Sequence, residues 1–247
     1  MNFFSLFKRK LIYKFKRKIS IDNNNFQKKS LDELFNYYGS DKGSRFKKNN
    51  SIGHGFSDYY VQNLNNIRDK KINILEIGSY SGASACAFSN YFTNSKIFCF
   101  DINISNFEYT SKNIFVYDLD INNKKKVKKT LDTIFNENNF TQFDLIIDDG
   151  SHNLRDIIFS LNLFFQYLKN NSFYIIEDYK YPNYYSYNRN IDHILVDEVL
   201  QKIKEKVNFE SSIIDKESQN ILMNSIKTIE TYKGSLKDSD ICFIKKK

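Results

Sequence analysis

Short apolar runs and helix-spaced stretches alternate through the middle of this chain. Residues 72–77, 96–100, 114–117, 143–147 and 172–176 are runs of mainly apolar residues, with the length and composition of buried strands. Between them, 83–92, 124–136 and 154–168 place apolar residues every three or four positions, with Val127, Leu131 and Ile134 as the stripe of the second. Such spacing predicts helices with one buried face. Strand and helix in turn predict an α/β fold around a mostly parallel sheet, in which ligands bind at the carboxyl ends of the strands. Upstream, 31–38 and 58–67 read as short helices on either side of a polar loop, 39–55. Downstream, the tyrosine-rich stretch 179–189 holds the only proline and reads as a loop. A helix is expected over 194–207, and 225–232 with 240–245 form an antiparallel hairpin around Gly234.

The first thirty residues stand apart. Phe4, Phe7, Leu11 and Phe15 fall at helical spacing among basic residues, so 1–30 is expected to be a basic amphipathic extension of one domain spanning 31–247. Two kinds of surface suit that helix. One is an anionic membrane, touched peripherally through residues 1–20; the other is the body of the protein or a partner subunit. The net charge is +8, and Lys8, Arg9, Lys10, Lys14, Lys16, Arg17 and Lys18, with no acid among the first twenty residues, supply seven of those charges. The rest of the chain, beyond Ser20, is close to neutral, which argues against nucleic acid as a partner. A hydrophobic content of 41% supplies enough apolar surface for a core. Cys86, Cys99 and Cys242 are odd in number and lack metal-ligand spacing, which suits a reducing, cytoplasmic setting. No apolar run approaches the roughly 20 residues of a spanning helix, so a membrane contact would be peripheral, at the inner face.

Candidate chemistry is concentrated at strand ends. Residues 75–84 (LEIGSYSGAS) read as strand, tight turn and helix start. Gly78 allows the backbone to turn sharply against a ligand, and Gly82 allows close helix packing. The dinucleotide pattern GxGxxG needs glycine at 80 and 83, where this chain has Tyr80 and Ala83. Asp101, closing the second strand, suits the two ribose hydroxyls of an adenosine, because one carboxylate accepts from both.

Two further strand ends carry paired acids, Asp148-Asp149-Gly150-Ser151-His152 and Glu177-Asp178. Three carboxylates gathered at neighbouring strand ends repel one another unless a cation sits among them, and oxygen donors suit Mg²⁺ or Mn²⁺. His152, with an ordinary pKa of about 6.5, is a proton acceptor suited to neutral pH. A metal beside a hydroxyl and a histidine base would together ready that oxygen for a direct in-line displacement on an electrophile, without a covalent enzyme intermediate. Taken singly, each group also has a structural reading as a cap, a solvated turn or a helix-start histidine, and Asp148 is assigned to structuring its strand end.

An acid two residues before the first glycine, with glycines four apart, resembles motif I of class I methyltransferases, although Tyr80 stands where that family often has a middle glycine. More specifically, the chain resembles the macrocin and mycinamicin sugar O-methyltransferases and related bacterial surface-polysaccharide enzymes. The likeness is carried by Gly39-Ser40-Asp41-Lys42-Gly43 with His54 and Tyr60, by LEIGSYSGAS, by Asp101, by IIDDGSH (146–152) and by YIIEDY (174–179). It covers roughly residues 34–180. It implies a Rossmann-like class I methyltransferase fold, mostly parallel with helices on both faces and a C-terminal antiparallel hairpin. By the same resemblance S-adenosylmethionine is held by Glu76, Gly78, Ser79, Tyr80, Gly82, Ser84 and Asp101, with Asp118 at an adenine-contacting position and Asp41 and Lys42 in a segment that closes over cofactor or substrate. Asp149, Glu177 and Asp178 match the metal ligands, and His152 with Asp149 the catalytic pair. This chain departs from the pattern at Phe56, where tyrosine is usual, and at Asn170-Asn171-Ser172, where glycines are usual.

The function these features imply is metal-dependent O-methylation of a sugar hydroxyl, on a nucleotide-activated heptose or hexose for capsule or lipopolysaccharide. Two alternatives stay open, a catechol-like or antibiotic-sugar acceptor, and a non-catalytic nucleotide-binding module of surface-glycan assembly. Tyr179, Tyr181, Tyr184, Tyr185 and Tyr187 suit either a sugar-stacking lid or the interface of a homo-oligomer.

Overall fold

A computed structural model of the chain describes residues 3–23, 26 and 29–247, apart from the side chains of residues 3–7 and 48. The side chains of Phe4 and Phe7 therefore lie outside the described residues. The chain divides into two compact units, 1–138 and 139–247.

In the first unit, β1 (Ile72–Ile77), β2 (Ser95–Asp101) and β3 (Ile114–Asp118) run parallel. The register sets Glu76 opposite Cys99 and Asp101 opposite Asp118, so two acids leave the sheet side by side. Most of β1 and β2 is buried, as parallel strands covered on both faces require. The helices of this unit are α1 (Phe3–Phe15), α2 (Leu31–Tyr38), α3 (Ser57–Leu64), α4 (Ala83–Tyr91) and α5 (Lys124–Asn138). Helix α2 opens on a capping box between Ser30 and Glu33 and closes at Gly39 in the left-handed region. It buries Leu31, Leu34, Phe35 and Tyr38, and Phe35 meets Phe88 of α4 edge-on at 5.3 Å. Helix α5 buries the predicted stripe of Val127, Leu131 and Ile134.

The expected loop 39–55 contains a small hairpin, Arg45–Phe46 against Ser51–Ile52. Its stem continues through Gly53 N–H to Ser44 O (3.0 Å), Gly55 N–H to Gly43 O (2.9 Å) and Phe56 N–H to Lys42 O (2.8 Å). The two chains pass so closely that a Cβ on Gly53 would lie 2.2 Å from Gly43 O. Asp32 of α2 ties the hairpin down, accepting from Ser44 N–H (2.6 Å), Ser44 Oγ (2.7 Å) and Ser57 Oγ (2.7 Å). Burial pushes the Asp32 pKa up, but these three donors outweigh it and hold the carboxyl below its ordinary value.

In the second unit, β4 (Phe143–Asp148) and β5 (Leu168–Ile176) run parallel. Strand β7 (Asp240–Lys246) pairs antiparallel with β5, and β6 (Ile226–Lys233) antiparallel with β7. Helix α6 (Leu154–Phe164) passes into a single 3₁₀ turn at Phe165–Tyr167. It is shorter than its apolar spacing predicts, and β5 starts four residues sooner than its apolar run because Leu168-Lys169-Asn170-Asn171 is extended as well. Helix α7 (Val196–Glu205) is followed by α8 (Lys216–Ser225), which was not among the predicted elements. Helix α8 is capped by Asp215 and centred on Gln219, whose buried amide accepts from Phe209 N–H and donates to the Phe209 and Ile214 carbonyls.

Candidate functional site

The cofactor turn is built from backbone that side chains normally avoid. Gly78 and Gly82 lie at φ 86° and 82°, and Tyr80 between them at φ 41°. Gly78 N–H donates to Phe100 O (2.8 Å) and Gly82 N–H to Ser79 O (2.7 Å), which closes the turn before α4 begins. A Cβ on Gly82 would come within 2.4 Å of the Phe107 ring, so position 82 needs glycine for both its φ and its neighbour. A bulky residue at positive φ is strained, and Tyr80 also stands 64% exposed over the turn.

Asp101 holds this strained turn in place. Its Oδ2 accepts Tyr80 N–H (2.8 Å) and its Oδ1 accepts Asn103 N–H (2.6 Å). A carboxylate offers about four acceptor sites, so each oxygen keeps capacity for a further donor. Glu76 is fully buried, accepts from Ser84 Oγ at the head of α4 (2.5 Å) and lies 3.9 Å from Cys99 Sγ. Glu76 and Ser84 thus brace the turn from beneath, and Ser79 is buried beside them. Asp118, the register partner of Asp101, is nearly buried with its Oδ2 3.5 Å from Lys10 Nζ and 3.8 Å from Lys126 Nζ. That oxygen accepts no hydrogen bond among the described residues. Asp41 is exposed, 3.8 Å from His54 Nε2, whereas Lys42 is buried at 2% exposure within the hairpin stem. Asp41 and Lys42, neighbours in the predicted cofactor segment, thus differ in exposure.

In the second unit, β4 and β5 end together, with Asp148 opposite Ile176 and Glu177 N–H donating to Asp148 O (2.9 Å). Just beyond, Asp149, His152 and Asp178 each present a ligand atom, all within 4.8 Å of one another. His152 Nε2 lies 3.7 Å from Asp149 Oδ1. Glu177 is absent from this group, a difference from the predicted ligand set, and its side chain is buried. Both acids lie in the turn that follows β5, Asp178 at φ 49°. His152 lies at φ 54°. Setting aside three asparagines and Lys206 at a helix end, the non-glycine residues at positive φ among the described residues are Tyr80, His152 and Asp178, all predicted site residues. Aspartate and histidine enter this region more readily than a bulky tyrosine, so the strain is concentrated at Tyr80.

Asp148 is buried, as its structural assignment requires, and accepts from Tyr174 Oη (3.2 Å) and Gly150 N–H (3.3 Å). Burial pushes its pKa up to about 6. The loop bearing His152 is held by a residue the sequence did not signal: buried Asn188 donates to His152 O (3.2 Å) and lies 3.3 Å from Asn153 Oδ1. From His152 a row of rings leads outward, through Tyr181 (5.4 Å between centroids), Tyr185 (4.4 Å further) and Tyr187 (5.6 Å). Tyr179 is not part of it, being buried against β7, where its N–H donates to Asp240 O.

The donor set fits a divalent cation. Two carboxylates converge within one ion's reach with an imidazole nitrogen beside them, and carboxylate oxygens suit Mg²⁺ or Mn²⁺. Fit to an adenosine rests on the spare acceptor capacity of Asp101 and on Asp118 Oδ2, which faces two lysines but accepts no hydrogen bond among the described residues.

Residues 75–179 match a model described as a methyltransferase domain. Over 155 residues the chain is 32% identical to L-olivosyl-oleandolide 3-O-methyltransferase of Streptomyces antibioticus, an alignment covering 60% of this chain and 36% of that protein. Among solved structures it is similar to the MycE methyltransferase of the mycinamycin biosynthetic pathway, in complex with Mg, SAH and mycinamycin VI. There the TM-score is 0.66 at 20% identity, over 89% of this chain and 55% of MycE. A second structure of MycE with Mg and SAH gives the same values. The chain thus spans about a third of the curated relative's length and about half of MycE's. Its fold is the Rossmann-like fold of class I methyltransferases, with a mostly parallel sheet and a C-terminal antiparallel hairpin.

Proposed function

We propose that this chain is an S-adenosylmethionine-dependent, divalent-metal-dependent O-methyltransferase acting on a sugar hydroxyl. The observation that carries this reading is the convergence of Asp149, His152 and Asp178 at strand ends of a methyltransferase fold. S-adenosylmethionine supplies an electrophilic methyl group on a sulfonium. Asp101 would accept the two ribose hydroxyls, Asp118 Oδ2 would face the adenine amino group, and the Gly78–Gly82 turn would let the backbone approach. When bound by Asp149 and Asp178, Mg²⁺ or Mn²⁺ supplies Lewis acidity that lowers the pKa of a neighbouring hydroxyl. His152 takes the acceptor's proton at Nε2, poised beside Asp149.

Support for a sugar acceptor comes from the tyrosine row, since aromatic faces suit the apolar faces of pyranose rings, and from the activities named for the similar proteins. Among sugars we assign a nucleotide-activated heptose or hexose destined for capsule or lipopolysaccharide, with an antibiotic glycoside as the competing acceptor.

Calorimetry with S-adenosylhomocysteine in chelator and in Mg²⁺, and then methyl transfer to a panel of nucleotide sugars, macrolide glycosides and catechols, separates these readings. We expect cofactor-product binding, and turnover only with metal and a sugar acceptor. Absence of S-adenosylhomocysteine binding refutes the cofactor assignment. Full turnover in chelator refutes the metal's role while leaving the cofactor in place.

A further inference from the structure

The N-terminal helix is turned the unusual way round. A helix lying on a water-soluble body normally buries its apolar stripe and leaves its charges in water. In α1 and the residue that follows it, Arg9, Tyr13 and Lys16 are turned toward the body. Arg9 Nη1 donates to Ile102 O (3.2 Å), and Lys16 Nζ to Ser105 O (3.3 Å) and Asn106 O (3.1 Å). Among the described side chains, the apolar residues of its C-terminal half face solvent instead: Leu11 is 39% exposed, Ile12 44% and Phe15 75%, with Ile19 just beyond the helix at 57%. Lys8, Lys14 and Arg17 stand exposed around that stripe, and Lys14 Nζ lies 5.8 Å from the centre of the Phe15 ring.

We propose that this face docks on an anionic lipid surface, with Leu11, Ile12 and Phe15 entering the headgroup boundary and the ring of cations engaging lipid phosphates. Charge selects this occupant over a second copy of the chain. Lys8, Lys14 and Arg17 around the exposed residues are all basic, and residues 1–20 hold no acid, so two such faces brought together would set like charges against each other. An anionic bilayer complements both features at once, the apolar stripe and its basic rim. Contact is interfacial, since no helix among the described residues is long and apolar enough to cross a membrane.

The test is co-flotation of the full chain with vesicles of neutral phosphatidylcholine alone or with one quarter phosphatidylglycerol. The protein is expected to float with the anionic vesicles and to bind neutral ones at least tenfold more weakly. Leu11→Gln/Ile12→Gln/Phe15→Gln keeps the charge and helix propensity, and is expected to lower the anionic partition at least tenfold with an unchanged melting temperature. Lys8→Gln/Lys14→Gln/Arg17→Gln removes the rim alone, and is expected to abolish the preference for anionic over neutral vesicles. Equal binding of wild type to both vesicle types, or unchanged flotation of either variant, overturns the proposal. So does a concentration-dependent dimer of the wild type, seen by sedimentation, that the glutamine triple variant abolishes while neither protein floats.

Discussion

Replacing Asp101 by asparagine separates the residue's structural duty from its proposed ligand duty. In the wild type Oδ2 takes Tyr80 N–H at 2.8 Å and Oδ1 takes Asn103 N–H at 2.6 Å. Asparagine keeps one acceptor oxygen and sets an amide donor against the other backbone donor. Hydrogen bonds to a charged group contribute about 1.5–3 kcal/mol, those between neutral groups about 0.5–1.5, and a donor left unmade costs about 1–3 kcal/mol when fully buried. Tyr80 is exposed, so water can reach its N–H, and the stability loss belongs at the low end, about 1 kcal/mol. In a chain of this size that is roughly 2–4 °C in melting temperature. The ligand suffers more. One ribose hydroxyl loses its acceptor and the other keeps only a neutral one, together about 2–3 kcal/mol, or roughly 30- to 150-fold in Kd. Calorimetric titration with S-adenosylhomocysteine, beside a thermal melt of the same preparation, reads both quantities. A Kd within threefold of wild type would show that Asp101 only props up the turn and that the ribose is held elsewhere.

Three other perturbations probe the remaining elements. Gly82→Ala forces a Cβ into φ 82° and to within 2.4 Å of the Phe107 ring; backbone strain of about 1–2 kcal/mol and overpacking of about 1–3 kcal/mol should lower the melting temperature by several degrees, and an unchanged melt would contradict the close approach. His152→Ala should reduce kcat by roughly 10²- to 10⁴-fold while leaving the Mg²⁺ half-saturation within threefold; a tenfold rise in that concentration would make His152 a ligand rather than the base. Asp32, with its folded pKa held below the unfolded value by Ser44 and Ser57, contributes stability that is present above the ordinary carboxylate pKa and lost as pH falls through its lowered folded value. Denaturant midpoints measured from pH 6 down to pH 3 should therefore fall less steeply for Asp32→Asn than for wild type, and parallel curves would remove Asp32 from the acid-sensitive set.

What could be read from the sequence is what local pattern controls. Strand length, the glycine at the first turn and an acid at each strand end are written within a few residues of one another, and β1, β2, β3 and β4 begin and end within a residue of the predicted runs. Side-chain direction is a different kind of information. Glu177 and Asp178 look equivalent as neighbours in the chain and both are buried, yet Asp178 joins Asp149 and His152 while Glu177 does not, and the chain pattern holds no sign of the positive φ at Asp178. Contacts over long stretches of chain are equally silent: Asp32 clamps a hairpin 12 to 25 residues on, and Asn188 anchors the His152 loop from 36 residues away.

Helix α1 shows the same limit at the scale of a whole element. Its spacing marks an apolar stripe, but periodicity alone does not say whether that stripe meets the protein or the solvent. The decision lies with the surface at 102–106, where backbone carbonyls are exposed at a 3₁₀ turn. Such acceptors favour guanidinium and ammonium groups over hydrocarbon, so Arg9 and Lys16 turn inward and Leu11, Ile12 and Phe15 are left outside. Tyr80 and the His152 loop share this logic. Both residues lie at positive φ, and each is tied by a hydrogen bond from a distant part of the chain, Tyr80 N–H to Asp101 and Asn188 to His152 O. Sequence pattern locates the chemistry at the strand ends; the aim of each group is set by these distant hydrogen bonds.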